Sequence, residues 1–343
     1  MDDFTLGGCT LKRGERKRVT LEIARLYDFT ETGIPIEVIH GRRPGPVLFI
    51  CGAIHGDEIN GVEIIKRLLG HKSLKKIRGT LIAVPIVNVF GFNTKSRYLP
   101  DRRDLNRSFP GSKDGSLASQ LAHTFMQEVV SKSTHGIDLH TGAVPRSNLP
   151  QVRAFLKDPE TERLARAFRV PVIINSSLRD GSLRDAAREQ KIPMLLYEGG
   201  EALRFNEPVI RTGIRGIVSV MRSIGMLPPL KPYKAEKTAE CFVARSSFWV
   251  RAPHSGTFLP KIKLGERVTR EQLLGVVSDP FGEHRFEIRA PHTGIVIGMT
   301  LLPLVNNGDA VFHIATFEDS IAVEESVEPF RDDWNGQTDT VIT

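Results

Sequence analysis

The residues whose spacing carries the most chemistry lie in Ile50-Cys51-Gly52-Ala53-Ile54-His55-Gly56-Asp57-Glu58, where an apolar run gives way to polar residues. His55 and Glu58 stand three apart, and imidazole nitrogen and carboxylate oxygen are both good Zn²⁺ ligands. In a loop that enters a helix, side chains at i and i+3 can converge on one point. By itself His-x-x-Glu is also an ordinary surface combination, so a metal centre needs a third ligand from elsewhere in the chain. With that ligand, the chemistry to expect is hydrolysis by a metal-activated water.

The chain has ten histidines, nine of them besides His55 and so available for the third position. His140 ends a short apolar stretch inside Asp138-Leu139-His140-Thr141-Gly142, and the glycine after it allows close approach of backbone or ligand. The same setting also suits a histidine simply hydrogen-bonded at a strand terminus. His40, His71, His123, His135, His284 and His313 lack such a setting, and His254 and His292 sit in a repeated turn, so these eight read as structural. From Arg97-Tyr98 to Asp104-Leu105-Asn106-Arg107-Ser108-Phe109-Pro110-Gly111, the chain offers a different function. Arg107 beside Asn106 presents planar donors that match a carboxylate, although a capped turn with surface ion pairs would read alike. Glu198 follows five apolar or aromatic residues and precedes Gly199-Gly200. It is placed for proton transfer at the mouth of a sheet, or for plain strand-end polarity.

The elements that must position these groups are legible as buried strands alternating with helices. Val47-Leu48-Phe49-Ile50-Cys51 and Thr80 to Val87 read as buried strands, with a helical pattern at Val62, Ile64, Ile65, Leu68 and Leu69 between them. A long polar stretch from Asn88 to Ser116 follows, and ordered loops of that length are usually functional. Then come a helix from Leu117 to about Val130, the strand Gly136 to Gly142, and two further strands at 170–175 and 193–200. Helices are expected at Leu183 to Gln190 and about Glu207 to Ile224. Such alternation indicates an α/β sheet covered on both faces, with ligands where strands end.

Beyond Pro228-Pro229-Leu230-Lys231-Pro232 the pattern changes to short strands broken by Gly and Pro. Arg251-Ala252-Pro253-His254-Ser255-Gly256 recurs as Arg289-Ala290-Pro291-His292-Thr293-Gly294. This repeat resembles the β-barrel of biotinyl/lipoyl carrier domains, with two quasi-symmetric halves. The hairpin that holds a carrier's modified lysine reads Asp279-Pro280-Phe281-Gly282-Glu283-His284 here and has no lysine, so no carrier role is expected. The reading therefore divides the chain into an N-terminal extension (1–32), a catalytic domain (33–230), a β-barrel domain (236–318) and an acidic, weakly patterned, partly disordered tail (319–343).

Composition excludes several classes. The chain has 343 residues, 40% hydrophobic and 25% charged, with no apolar run of the ~18 residues needed to span a bilayer. Its acidic N-terminus does not read as a secretory signal, and Cys9, Cys51 and Cys241 form no CxxC pair, which points to a cytoplasmic protein without a disulfide framework. The net charge is +7, but the basic residues are scattered and the clusters Lys12 to Arg18 and Lys72 to Arg78 lack interleaved aromatics. Nucleic acid and membrane are not expected partners. A modest positive field favours a small anionic substrate instead.

As an ordered set, these motifs resemble the zinc carboxypeptidase-like superfamily, and within it the succinylglutamate desuccinylase/aspartoacylase family, over roughly residues 30–225. The resemblance implies a carboxypeptidase-like mixed β-sheet flanked by helices and one Zn²⁺ per chain, held by His55, Glu58 and His140. It further implies that Arg97 polarises the scissile carbonyl, that Asn106 and Arg107 hold the substrate's carboxylate, and that Glu198 is the general base. Asp104 would orient a ligand histidine. The function implied is a zinc-dependent deacylase that cleaves the amide bond of an N-acyl amino acid or similar small carboxylate-bearing amide, by Glu-assisted attack of metal-bound water. The alternatives are a zinc carboxypeptidase acting on peptides and a non-catalytic zinc-binding member. Exposed barrel edges also open a route to homo-oligomers.

Overall fold

In the computed structural model, which describes residues 3–229 and 240–335, the apolar run 47–51 lies in the second half of a strand covered on both faces. The chain starts with β1 (Phe4–Leu6), β2 (Cys9–Leu11), β3 (Arg16–Arg25) and β4 (Glu31–His40), and then forms β5 (Arg43–Gly52). Next come α1 (Asn60–Leu69), β6 (Arg78–Val84), α2 (Val89–Thr94), α3 (Leu117–Phe125), β7 (His135–Gly142) and β8 (Arg146–Ala154). The α/β part is completed by α4 (Pro159–Phe168), β9 (Val172–Asn175), α5 (Leu183–Glu189), β10 (Met194–Glu201) and α6 (Glu207–Ser223). Short strands follow: β11 (Phe242–Ala244), β12 (Ser246–Arg251), β13 (Gly256–Pro260), β14 (Arg267–Val268), β15 (Leu273–Ser278), β16 (Arg285–Arg289), β17 (Gly294–Thr300), β18 (Leu304–Val305) and β19 (Ala310–Thr316). A last helix, α7 (Ser320–Asn335), closes the described chain.

Strands β6, β5, β7 and β10 are parallel neighbours, flanked antiparallel by β4 and β3 on one side and β8 on the other. The fold is thus a mixed α/β sheet with helices on both faces. Period-two alternation divides each apolar run between two cores. Leu48 and Ile50 of β5 pack with Ile64, Leu68, Leu164 and Ile217 of α1, α4 and α6. Phe49 and Cys51 face the opposite side, with Leu121 and Phe125 of α3 and Ala187 of α5. The same rule sorts β7 and β10: Ile137, Leu139, Leu195 and Tyr197 enter the first core, so Asp138, His140 and Glu198 must point to the other face. All three lie towards the carboxyl ends of their strands, where open α/β sheets bind ligands.

Three boundaries differ from the sequence reading. The division at 32/33 falls inside β4, and β3, within the supposed extension, pairs along it because Val19 and Leu21 alternate into the core. The tail beyond 318 forms α7 as far as Asn335, since Val323 and Val327, one helical turn apart, are fully buried against the C-terminal strands. Nor is the C-terminal unit separate: β17 hydrogen-bonds to β8 and continues the large sheet through β19 and β12, while β16, β15, β13 and β18 form a four-stranded sheet. Leu149, Val172 and Ile174 share one core with Val296 and Ile314. Most of the stretch expected to separate the two parts lies outside the described residues. The loop at 88–116 contains α2 and a short 3₁₀ turn at Leu105–Arg107. The two Arg-Ala-Pro-His repeats follow β12 and β16, each with its alanine buried, and the lysine-free stretch 279–284 is the hairpin between β15 and β16.

The burial of α7 yields a stability test. Removing two methyl groups from a fully buried site costs about 2 kcal/mol. Val323→Ala and Val327→Ala should each lower the unfolding free energy by about that amount in urea titrations, and wild-type midpoints in both would contradict the packing of this helix.

Candidate active site

The loop that leaves β5 turns sharply at Ala53, whose φ is +49°, and runs past the start of α2. It fits only because residue 56 is glycine: a Cβ there would stand 1.9 Å from the backbone carbon of Gly91. The result is that His55 and Glu58 are held against the end of β7, both buried, with His140 beside them. One ligand atom from each of the three lies within 4.8 Å of the others.

The hydrogen bonds show how the trio is oriented. His55 Nδ1 and Glu58 Oε1 are 2.7 Å apart, and His140 Nδ1 and Glu58 Oε2 are 2.8 Å apart. Each ring's other nitrogen meets a second carboxylate: His55 Nε2 lies 3.1 Å from Asp104 Oδ1, and His140 Nε2 lies 2.7 Å from Asp138 Oδ2. This is the pattern of metal-binding histidines, where an outer carboxylate fixes the tautomer and frees the inner nitrogen. Arg97 spans the set, donating to Glu58 Oε1 and Asp104 Oδ2 at 3.1 Å each, and the Thr141 amide donates to Glu58 Oε2. With neutral imidazoles, three carboxylates face one guanidinium and leave two negative charges, which one divalent cation would cancel. The donors and the charge both fit zinc.

Protons otherwise occupy this role. Burial opposes charge on both imidazoles, but Glu58 on His55, and Asp138 with Glu58 on His140, overcome it and raise both pKa values. Burial likewise opposes the charge on Glu58, yet the two imidazoles hold its carboxyl well below the usual range. Asp138 is fixed in turn by the Cys51 thiol, 3.3 Å from Oδ1; burial pushes that thiol up, so it stays a donor.

The trio opens onto a cavity of about 270 Å³. Of the other expected site residues, Arg97, Asn106, Arg107 and Glu198 line it. Asn106 also accepts from the Leu183 amide at 3.0 Å, which ties the loop to the start of α5. Glu198 pairs with His140 in the sheet register and forms an ion pair with Arg153, while Asn148 Nδ2 donates to Glu198 Oε1 at 2.8 Å. Asp104 does not line the cavity and acts from behind His55.

Several residues here escaped the sequence reading. Arg146, Arg153, Arg179 and Arg184 add four cations to the walls, and burial, then Arg153, pushes Arg184 down to about 10. Trp249 comes from the C-terminal strands. Asp138 could have been found, because it stands two before His140 on a strand and so shares its face. Asn148 and Arg153 had no local signal, since only the pairing of β8 with β10 brings them to Glu198.

Residues 44–224 match the model of the succinylglutamate desuccinylase/aspartoacylase catalytic domain. The chain belongs to this family. It is 29% identical over 299 residues, 84% of this chain and 87% of the relative, to the N-alpha-acetyl-L-2,4-diaminobutyric acid deacetylase of Halomonas elongata. Among solved structures, the product-bound ectoine utilization protein EutE (DoeB) of Ruegeria pomeroyi is similar at 26% identity and a TM-score of 0.79, covering 89% of this chain and 96% of that one. A succinylglutamate desuccinylase/aspartoacylase of Rhodobacter sphaeroides is similar at 26% identity and a TM-score of 0.79, over 90% and 97% of the two chains. Family membership places the chain among deacylating amide hydrolases.

If Asp138 orients His140 as a ligand, Asp138→Asn should weaken zinc binding by roughly 10- to 100-fold in a chelator competition assay. Because both histidines hold protons above their ordinary pKa, zinc affinity should rise with pH through that range. Unchanged affinity in the variant, or affinity independent of pH, would contradict the assignment.

Proposed function

We propose that the protein is a zinc-dependent deacylase that hydrolyses a small N-acyl amino acid or a related carboxylate-bearing amide. One observation carries this reading: two histidines and a glutamate converge in a small cavity walled by six arginines, with a further carboxylate, Glu198, at its edge. A cavity of about 270 Å³ suits a small molecule better than a peptide chain. The deacetylase relative of Halomonas elongata supports the same bond type.

His55, Glu58 and His140 would hold the zinc, which when bound supplies Lewis-acid activation and lowers the pKa of a coordinated water to about 7. The protein's own groups perform the rest. Arg107 and Asn106 bind the substrate's carboxylate and fix the amide over the site. Glu198 takes the proton as the water oxygen bonds to the carbonyl carbon, then delivers it to the leaving nitrogen as the C–N bond breaks. Arg97 stabilises the oxyanion that forms between these steps, an effect commonly worth ~3–4 kcal/mol per donor. The three free cysteines suit a cytoplasmic setting, and no helix among the described residues is long and apolar enough to cross a membrane. We also propose that the C-terminal strands derive from a carrier-like barrel put to a different use.

A panel of N-acyl amino acids and short peptides tests the reading. Zinc-loaded protein should release the acyl acid from the former and little from the latter, and the opposite preference would identify a carboxypeptidase. Glu198→Gln should retain zinc and lose at least ~10²-fold in kcat; near-normal kcat would remove Glu198 from the role of base. Arg107→Ala should chiefly raise KM, provided the carboxylate is held equally in ground and transition states.

A further inference from the structure

Two residues beyond Glu198 on β10, a row of paired residues crosses from the α/β sheet into the C-terminal strands. Gly200 of β10 pairs with Asn148 of β8, Asn148 with Gly298 of β17, Gly298 with His313 of β19, and His313 with Trp249 of β12. Directly paired residues direct their side chains to one face of the sheet. At one end Asn148 donates to Glu198 Oε1 at 2.8 Å. At the other, Trp249 lines the same cavity, its ring stacked on buried His313 with centroids 4.3 Å apart. Arg146, two residues before Asn148, sets its guanidinium 4.9 Å from the Trp249 ring centroid, which ties β8 to β12 across the row.

The residue between Asn148 and His313 is a glycine, and its missing side chain leaves the room that the Asn148 amide occupies. A Cβ at position 298 would stand 2.5 Å from Asn148 Oδ1 and 3.2 Å from His313 Cβ. The nearest obstacle is the end of a side chain, so the fold can accept a methyl group there while the amide moves. A displacement of about 1 Å in a catalytic group can cost ~10²-fold in rate.

We propose that Asn148 acts as a positioning residue for Glu198 and that Gly298, on a C-terminal strand, leaves the space in which it does so. This rests on the reading of Glu198 as the base in amide hydrolysis.

A double-mutant cycle on the full-length, zinc-loaded protein tests it, using the N-acyl amino acid that the wild type hydrolyses fastest. Asn148→Ala and Gly298→Ala should each lower kcat by about 10- to 100-fold, with KM within about threefold and zinc content unchanged. The double variant should be no slower than Asn148→Ala alone, because the amide that Gly298→Ala displaces is already gone. Should Gly298→Ala fail to fold, the kcat-against-KM split in Asn148→Ala carries the test alone. Wild-type kcat in either folded variant, losses confined to KM, or a double variant showing the product of the single losses would overturn the proposal. A wild type that hydrolyses no N-acyl amino acid overturns this inference and the proposed function together; an active wild type with multiplicative losses overturns the inference alone.

Discussion

Everything at this site depends on one buried carboxylate. Glu58, 2% exposed, lies between two imidazoles, and its charge inside the protein requires a compensating cation. Arg97 supplies one positive charge, but Asp104 and Asp138 add two more negative ones behind the histidines. Protons on the imidazoles or a divalent ion can complete the balance. The first choice leaves a salt-bridged cluster with no catalytic vacancy, whereas the second frees both imidazoles as ligands. The outer carboxylates favour the second because each fixes one ring nitrogen as a donor and turns the other inward.

The sheet makes this arrangement affordable in structural terms. Parallel strands β5, β7 and β10 end together, so His55, Glu58, His140 and Glu198, distant in sequence, meet at one edge. Alternation along each strand commits the apolar residues to the helix-covered core and leaves Asp138, His140 and Glu198 on the site's side. The close approach of the 53–58 loop to Gly91 brings His55 and Glu58 to the same edge. Polar residues from different strands are thereby held by backbone that is itself deeply packed, which is how catalytic groups keep their geometry.

Much of this was legible in the sequence, for identifiable reasons. His55, Glu58 and His140 sit where apolar runs stop, and the runs themselves mark the central strands. Arg97, Asn106, Arg107 and Glu198 were found through an ordered set of motifs, and all four reach the cavity. Pairing between distant strands was not legible. Arg153 and Asn148 become neighbours of Glu198 only through the antiparallel register of β8 with β10, and Trp249 only because β12 joins the same sheet. The N-terminal strands were overlooked because charged residues mask the alternation of Val19 and Leu21, and α7 because its buried face amounts to a few residues in an acidic stretch. The carrier-like repeat was visible, but not its hydrogen bonding into the catalytic sheet.

The most direct test of the account is a zinc titration of chelator-treated protein, followed by release of acyl acid from an N-acyl amino acid substrate. Activity should rise in proportion to added zinc and reach a plateau at one ion per chain, and His140→Ala should remain inactive throughout. Turnover that ignores zinc, a plateau at another stoichiometry, or full activity in His140→Ala would contradict a metal centre built on Glu58.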